Sequence, residues 1–210
     1  MFMSTVVWAD DFYSFGAPDC GYGRYSVGSE CVEYGTLDAD GMCDGSLITG
    51  GACLNAFIKS SAEIKDGTTF IADFAFSDCK NITVVMFPDT VKKIGNKAFE
   101  GCTALKKVYL PEDIRITIAM RAFKNCKSLT KVYGSENIVE IGDAAFSYCK
   151  SLKEITLGKN LKTVGEKAFL GCSKLARVNL ESTKTAPTFG RKAFSATADG
   201  VKFVADKTIA

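Results

Sequence analysis

Apolar residues recur along the chain with a period of about 23 residues. Each unit is marked by an Ala-Phe pair, found at Phe76, Phe99, Phe123, Phe146, Phe169 and Phe194. A cysteine follows three residues after each of the first five, at Cys79, Cys102, Cys126, Cys149 and Cys172. One such unit is too short to bury its own apolar side, so this period predicts a solenoid whose stacked coils share one core.

Two segments of each unit predict different local structures. The L-x-x-V-x-L segment, as at 105–110, alternates at its end and predicts a short strand whose intervening side chains face solvent. The G-x-x-A-F-x-x-C segment has helical spacing and predicts a short helical or 3₁₀ turn. The V-K-K-I-G segment predicts a brief second strand. In the longer unit DIRITIAMRAF, Ile114 and Ile118 are the expected inward pair, and the extra residue is expected to bulge outward.

The composition is that of an ordinary folded protein, with 47% hydrophobic and 24% charged residues. The chain has no histidine, which excludes Ser-His-Asp and Cys-His catalysis and most zinc sites. No nucleophile–base pair, phosphate loop or metal-ligand cluster stands out, so the sequence predicts a non-enzyme without cofactor or metal. No apolar run is long enough to cross a bilayer.

The charge is unevenly distributed, although the whole chain carries only +2. Residues 1–60 carry −6 and residues 61–210 carry +8. A basic excess can favour nucleic acid, lipid headgroups or acidic glycans. Acidic residues are interspersed throughout, however, so the sequence predicts a solvated surface and no nucleic-acid partner.

The repeat pattern I-G-x-x-A-F-x-x-C-x-x-L-x-x-I-x-L-P resembles the BspA-type leucine-rich repeat of bacterial and protist surface proteins. The match spans roughly 64–204, and the Ala-Phe anchors and cysteines agree in phase. The resemblance implies a β-rich α/β solenoid that coils to the right, with short parallel strands on its concave face. It also implies a secreted or surface-attached protein that works by binding. The last unit departs from the pattern, because Phe194 has no following cysteine, and GVKFVADKTI resembles a closing strand.

Three regions are expected along the chain. Residues 1–9 of MFMSTVVWADD resemble the end of a secretory signal peptide, cleaved after Ala9, whose basic leading part would be encoded upstream. The alternative is an apolar N-terminal strand. Residues 10–60 are expected to form a glycine- and cysteine-rich N-terminal cap, and residues 61–210 the solenoid with its closing strand. The expected location is therefore secreted, periplasmic or on a bacterial cell surface.

The nine cysteines fall into two groups. The five repeat cysteines are expected to pack in the core as small apolar side chains. Cys20, Cys31, Cys43 and Cys53 lie in a segment with few aliphatic residues, where two disulfides are expected if the protein is secreted. Their connectivity is open among three possibilities, and a reduced, weakly ordered segment is the alternative. The fragment Asp38, Asp40, Gly41 is too incomplete to predict an EF-hand calcium loop.

The outward strand positions should stack into columns, because each coil adds one strand to the same sheet. The candidate binding surface on this concave face consists of Met86, Lys107, Tyr109, Lys131, Tyr133, Glu154, Thr156, Arg177 and Asn179. Tyrosine and arginine are over-represented where binding energy concentrates. The alternative is that tyrosine and threonine are there because they suit exposed strands.

Two functions follow from this pattern. The first is a non-catalytic module that binds a protein or a glycan through the concave face. The second is a structural or spacer solenoid, which presents another segment or associates with copies of itself without a specific ligand.

Overall fold

A computed structural model of the 210-residue chain describes residues 24–27, 30–33, 61–64, 66–181, 186–199 and 201–205. The expected signal remnant at 1–9 and most of the expected cap at 10–60 lie outside these residues. The described strands are β1 (Arg24–Val27), β2 (Glu30–Glu33), β3 (Ser61–Glu63), β4 (Phe70–Ile71), β5 (Val84–Met86), β6 (Lys93–Ile94), β7 (Lys107–Tyr109), β8 (Ile116–Ile118), β9 (Lys131–Tyr133), β10 (Ile138–Ile141), β11 (Glu154–Leu157), β12 (Thr163–Val164), β13 (Arg177–Leu180), β14 (Thr188–Phe189) and β15 (Lys202–Ala205). A 3₁₀ helix, η1, covers Ser135–Asn137.

The repeat region is a solenoid of short parallel strands, as the period predicts. The L-x-x-V-x-L segments form two sheets, ordered β3-β5-β7-β9 and β11-β13-β15. The second strands of the units form one six-stranded sheet, in the order β14-β12-β10-β8-β6-β4. Each strand pairs with its equivalent in the next coil, so equivalent residues lie side by side. The short strands β1 and β2 pair antiparallel with each other.

The core is a column of stacked phenylalanine rings flanked by aliphatic side chains. From Phe76 to Phe194, successive rings of the six Ala-Phe anchors have centroids 4.8–5.3 Å apart and planes within 10° of parallel. The four central rings, Phe99, Phe123, Phe146 and Phe169, are completely buried. The predicted stacking of coil upon coil is therefore confirmed. Offset-stacked aromatic pairs contribute about 0.5–1.5 kcal/mol each beyond the area they bury.

The Ala-Phe segments are chains of turns, and the short helical or 3₁₀ turn predicted for each of them is not confirmed. In the second unit, Ala98 N–H donates to the Gly95 carbonyl, and Glu100 N–H donates to the Lys97 carbonyl. Lys97 and Gly101 have φ of 56° and 79°, so the right-handed helical conformation is interrupted every few residues. The same pair of left-handed positions occurs in all six units.

These turns bond to the next coil through their alternate backbone groups. Lys97 N–H donates to the Met120 carbonyl, Phe99 N–H to the Ala122 carbonyl and Gly101 N–H to the Lys124 carbonyl, at 2.7–2.9 Å. A helix would direct these N–H groups along its own axis instead. The turn conformation therefore gives the solenoid a third hydrogen-bonded ladder, which explains why left-handed residues are tolerated there.

The glycine after the second strand permits close contact between coils. A Cβ at Gly142 would lie 2.6 Å from the Met120 backbone nitrogen, and one at Gly165 would lie 2.5 Å from the Asp143 nitrogen. Real Cβ atoms do not approach backbone so closely. The I-G dipeptide of the repeat thus reflects the distance between backbones, in addition to ending the strand.

The long unit places a different isoleucine in the core from the one expected. Ile116 and Ile118 are completely buried, whereas Ile114 is only half-buried. Ile116 pairs with Ile138 of the next coil, with a register irregularity between Ile138 and Glu140. The extra length lies in the 111–115 loop before β8, because the inward pair of this unit is two residues apart rather than three.

Four repeat cysteines are buried free thiols, and Cys79 is buried but disulfide-bonded. Each free thiol donates to a phenylalanine carbonyl of the preceding coil, as Cys126 does to Phe99 at 3.2 Å and Cys149 to Phe123 at 3.2 Å. A small side chain with a weak donor suits this position. The partner of Cys79 is none of the four free thiols, and the sequence-based pairing did not include Cys79. Cys20, Cys31, Cys43 and Cys53 lie outside the residues whose side chains are described.

None of the described helical segments is long and apolar enough to cross a membrane.

Candidate functional site: the outer surface of the strand sheets

The nine candidate residues lie at outward positions of β5, β7, β9, β11 and β13. We call this surface the strand face: Met86, Lys107, Tyr109, Lys131, Tyr133, Glu154, Thr156, Arg177 and Asn179. The residue between each outward pair, such as Val108 or Val132, is buried. Lys107 pairs with Lys131 and Tyr109 pairs with Tyr133, so equivalent residues stack in one column. The lysine column and the tyrosine column lie next to each other. Val84 begins the same columns, and Lys202 and Val204 end them.

A break divides the strand face between β9 and β11, which belong to different sheets. Gly134 replaces the inward leucine of the repeat, has φ of 74°, and leads into η1. A Cβ there would lie 2.7 Å from the Leu110 carbonyl oxygen. Both the positive φ and this close contact therefore favour glycine at position 134. Ser135 is buried, and its Oγ accepts a hydrogen bond from Thr156 N–H at 3.3 Å. A side chain thus bonds an amide where the backbone ladder is interrupted.

The segment that forms the break is anchored to its neighbouring coil. The Asn137 side-chain amide donates to the carbonyls of Pro111, at 3.1 Å, and Glu112, at 2.5 Å. Gly158 of the following coil leaves room for the Glu136 carbonyl, which a Cβ would strike. The break is therefore a fixed part of the surface.

An ion pair crosses the break on the outside. Lys131 Nζ lies 2.5 Å from Glu154 Oε1, and both side chains are a little more than a third exposed. The hydrogen bond from Lys131 and its charge lower the pKa of Glu154, so the carboxylate is ionised at neutral pH. Lys131 Nζ also lies 5.8 Å from the centroid of the Tyr133 ring, within cation–π range.

Two tyrosines lie beside this ion pair. The Tyr109 and Tyr133 rings are parallel within 4°, with centroids 4.5 Å apart, and Tyr133 is exposed. The stacking restrains both side chains before any ligand arrives, so little further conformational entropy is lost on binding. Their hydroxyl groups can both donate and accept hydrogen bonds, while Lys131 adds a charged donor and Glu154 a charged acceptor.

The far end of the strand face is polar and more open. Asn179 Nδ2 donates to Thr156 Oγ1 at 3.4 Å. A shallow depression beside it is lined by Lys153, Glu154, Ala176, Arg177, Asp199 and Lys202. Cationic side chains therefore continue along the solenoid beyond the tyrosines.

The four free thiols of the described residues lie in the core, away from the strand face. No cluster of three or more His, Cys, Asp or Glu that could hold a metal occurs among the described residues. Burial raises the pKa of the Cys102 and Cys172 thiols to about 12, and it raises those of Cys126 and Cys149 as well. These thiols are protonated at neutral pH and are poor nucleophiles.

Sequence reasoning missed three features of this surface. The break at Gly134 had a signal, since glycine stands where the other units have leucine or phenylalanine. Ser135 had no signal, because its role depends on where η1 sends its side chain. The cationic rows beside the strand face become visible only when residues are read in columns across coils.

The fold and this surface define a class, the leucine-rich-repeat solenoids. A family model for the BspA type leucine rich repeat region matches six copies over residues 69–200, and the chain belongs to that family.

Solved structures with the same architecture come from bacterial leucine-rich-repeat proteins. A leucine-rich-repeat protein of T. pallidum is 29% identical, with a TM-score of 0.53 over 64% of this chain and 70% of that one. A leucine-rich cell surface protein of Faecalibacterium prausnitzii A2-165 is 25% identical, with a TM-score of 0.57 over 88% of this chain. The match spans 55% of the Faecalibacterium protein. A search of curated proteins found no match.

Proposed function

We propose that this chain is a non-catalytic binding module, exported to a bacterial cell surface, periplasm or exterior, that binds a protein or glycan through the strand face. The observation that carries the proposal is the cluster of Tyr109, Tyr133, Lys131 and Glu154. Two stacked tyrosines beside a charged pair supply apolar area and hydrogen-bonding groups on one exposed patch, which is typical of binding hot spots.

The rigidity of the surface supports the same proposal. The strand face is built on backbone ladders from three sides of each coil, and the break beside the tyrosines is fixed by Ser135 and Asn137. A restrained surface loses less entropy on binding than a flexible one. Simple exposure of strand-favouring residues would explain the tyrosines' presence but not their arrangement around an ion pair.

Two observations support export. Cys79 is disulfide-bonded, and disulfides persist in oxidising compartments outside the cytosol. The Faecalibacterium relative is described as a cell surface protein. The signal-like residues 1–9 would direct such a protein to the secretory route.

The experiment is a binding screen with a matched pair of variants. The purified protein is applied to printed arrays of oligosaccharides and of extracellular proteins, and each ligand found is titrated against Tyr133→Glu and Tyr148→Glu. Both tyrosines are exposed to the same degree, 39% and 40%, but Tyr148 lies on the turn side of the coil. We expect Tyr133→Glu to weaken binding at least about tenfold and Tyr148→Glu to leave it nearly unchanged.

Equal losses in the two variants would show that the strand face is not the binding surface. Absence of any ligand on the arrays would contradict the binding proposal and favour the spacer alternative. In that case sedimentation of the wild type would show whether the solenoid associates with itself.

A further inference from the structure

The structure brings the dispersed cations of the repeat region together along one side of the strand face. In each unit, the five residues after the cysteine position run along the margin of the strand face and end at its first outward position. We call these segments the basic flank: 80–84, 103–107, 127–131, 150–154, 173–177 and 198–202. It contains ten cations: Lys80, Lys106, Lys107, Lys127, Lys131, Lys150, Lys153, Lys174, Arg177 and Lys202. It contains only two acids, Glu154 and Asp199. The flank therefore carries +8, which equals the whole net charge of residues 61–210, so the remainder of the repeat region is neutral.

The backbone ladder holds these segments next to one another. Lys106 N–H donates to the Thr83 carbonyl at 2.7 Å, and Thr130 N–H donates to the Lys106 carbonyl at 2.9 Å. Further along, Ala176 N–H donates to the Lys153 carbonyl at 2.9 Å. The cations thus form rows along the solenoid axis, with neighbouring coils about 4.8 Å apart as in any parallel sheet.

Most of the flank's charge is not neutralised within the described part of the chain. Nine of the ten cations are exposed, Lys131 being the half-buried exception. Of the flank cations other than Lys80, Lys131 alone forms an ion pair within the described residues. The loops after the strands are mixed in charge, since they hold Asp89, Glu112, Asp113, Glu136 and Glu181 but also Lys92, Arg115 and Lys159. Like charges held side by side raise the local potential and attract a counter-charged partner.

From this clustering we infer that the basic flank binds a carboxylated or sulfated polysaccharide that lies along the solenoid axis. The inference rests on the proposed function and narrows its partner to an acidic glycan. It also replaces the expectation, from the linear sequence, that the basic excess is diluted by neighbouring acids.

The spacing and type of the cations favour a polysaccharide over an acidic peptide. In an extended peptide, side chains on the same face are ~6.6 Å apart. This spacing does not match that of the coils, which are about 4.8 Å apart, so the acidic groups of a peptide would not align with successive coils. A polysaccharide that carries an anionic group on regularly spaced sugars can contact successive coils. Nine of the ten cations are lysine, a flexible point charge that adapts to such groups without the planar geometry that arginine imposes.

The composition of the flank disfavours nucleic acid. Proteins that bind single strands combine a basic groove with aromatic rings on which the bases stack. The six flank segments contain no aromatic residue. The nearby Tyr109 and Tyr133 rings lie face to face with each other, so their facing surfaces cannot receive a base.

The test uses two charge-reversal variants with equal change in net charge. Lys106→Glu with Lys153→Glu alters the flank without touching the nine strand-face residues. Lys93→Glu with Lys162→Glu alters two exposed cations, one in β6 and one directly before β12, and serves as the control. The probes are heparin, chondroitin sulfate, neutral dextran, poly-glutamate and single-stranded DNA, each titrated at several salt concentrations. Circular dichroism and thermal unfolding verify that both variants fold.

We expect heparin or chondroitin sulfate to bind more tightly than the other probes, with affinity falling as salt screens the charges. The flank variant should bind at least about tenfold more weakly, and the control variant within about twofold of wild type. Equal weakening in both variants would show that net charge alone governs binding, and it would overturn the proposal that the flank is the binding site. Tighter binding of poly-glutamate or DNA would overturn the ligand class, and no binding to the acidic polysaccharides would overturn the inference. The Tyr133→Glu screen would still decide the proposed function, because it uses neither flank variant.

Discussion

Lys131 and Glu154 form an ion pair that joins the two sheets of the strand face across the break at Gly134. No backbone ladder pairs β9 with β11, so this contact and the buried Ser135 hydroxyl connect the two halves. The ion pair keeps Lys131 beside the Tyr133 ring, where it contributes to the candidate binding cluster. The same contact therefore serves the fold and the surface.

Replacement of Glu154 by glutamine should lower stability slightly, in a pH-dependent way. The folded-state pKa of Glu154 is lowered by Lys131, so its contribution is present above the ordinary value of 4.5 and lost as pH falls through the folded value. Because both side chains are partly exposed, the loss should be about 0.2–1 kcal/mol at neutral pH. Urea unfolding at pH 7 and about pH 3 measures it. Glu140→Gln, on the six-stranded sheet, is the control, and a Glu154→Gln effect that persists undiminished at low pH would contradict the explanation.

Truncation within the phenylalanine column should be severe. Phe146 is completely buried between Phe123 and Phe169, and Phe146→Ala should lower the free energy of unfolding by about 3–5 kcal/mol. Phe189 is 44% exposed near the last coil, so Phe189→Ala should lower the free energy of unfolding by about 1 kcal/mol or less. Denaturant titration of the two variants measures the contrast. Equal losses would mean that the column is not the centre of the shared core.

The left-handed turn positions predict opposite effects for two neighbouring alanines. Ala144 has φ of 53°, which costs an L-residue roughly 1–2 kcal/mol and glycine almost nothing. Ala144→Gly should therefore stabilise the protein by up to about 1 kcal/mol after the added freedom of the unfolded chain is subtracted. Ala145 is completely buried and is not among the left-handed residues, so Ala145→Gly should destabilise it by about 1 kcal/mol. Thermal unfolding compares them, and destabilisation by both would refute the turn geometry.

The buried free thiols should resist alkylation in the native state and weaken the fold at high pH. Burial raises the folded-state pKa of Cys126 well above its ordinary value of 9.0. Its contribution to stability is complete below that ordinary value and is lost as pH rises toward the folded one. Iodoacetamide at about pH 8 should label none of Cys102, Cys126, Cys149 and Cys172 until denaturant is added, as read by peptide mass mapping. Rapid native labelling of Cys126 would show that the coil opens there.

Denaturant titration should also show stability falling above about pH 9, and less steeply in Cys126→Ala, which has one ionising thiol fewer. That variant should lose about 1–2 kcal/mol at neutral pH because it removes a buried atom. If the stability of Cys126→Ala fell with pH as steeply as that of the wild type, ionisation of the Cys126 thiol would not be the cause of the loss.

The features predicted from the sequence are those that repeat. The buried Phe99 and Val108 and the outward Tyr109 follow from apolar residues recurring at fixed spacing, since every coil imposes the same environment on them. The turn conformation was predicted wrongly because Lys97 and Ala144 carry no sign of a left-handed backbone. Their conformation is set by hydrogen bonds to the next coil, which local spacing does not encode.

The clustering of the cations could not be predicted from the sequence, because it depends on which segments the solenoid places side by side. Lys106 and Lys153 are 47 residues apart in the chain, and acidic residues lie between them. The solenoid brings their segments to the same margin and sends the intervening acids elsewhere. A sequence window averages these charges, whereas the fold separates them.

The central claim is that ligands bind on the strand face, and hydroxyl-radical footprinting tests it directly with residues already present. Met86 and Tyr133 lie on that face, while Met120 and Tyr148 lie on the turn side; the four are 39–43% exposed. With the tightest ligand from the arrays bound, we predict slower oxidation of Met86 and Tyr133, and unchanged oxidation of Met120 and Tyr148. Protection of Met120 and Tyr148 instead, or equal protection of all four, would contradict the account.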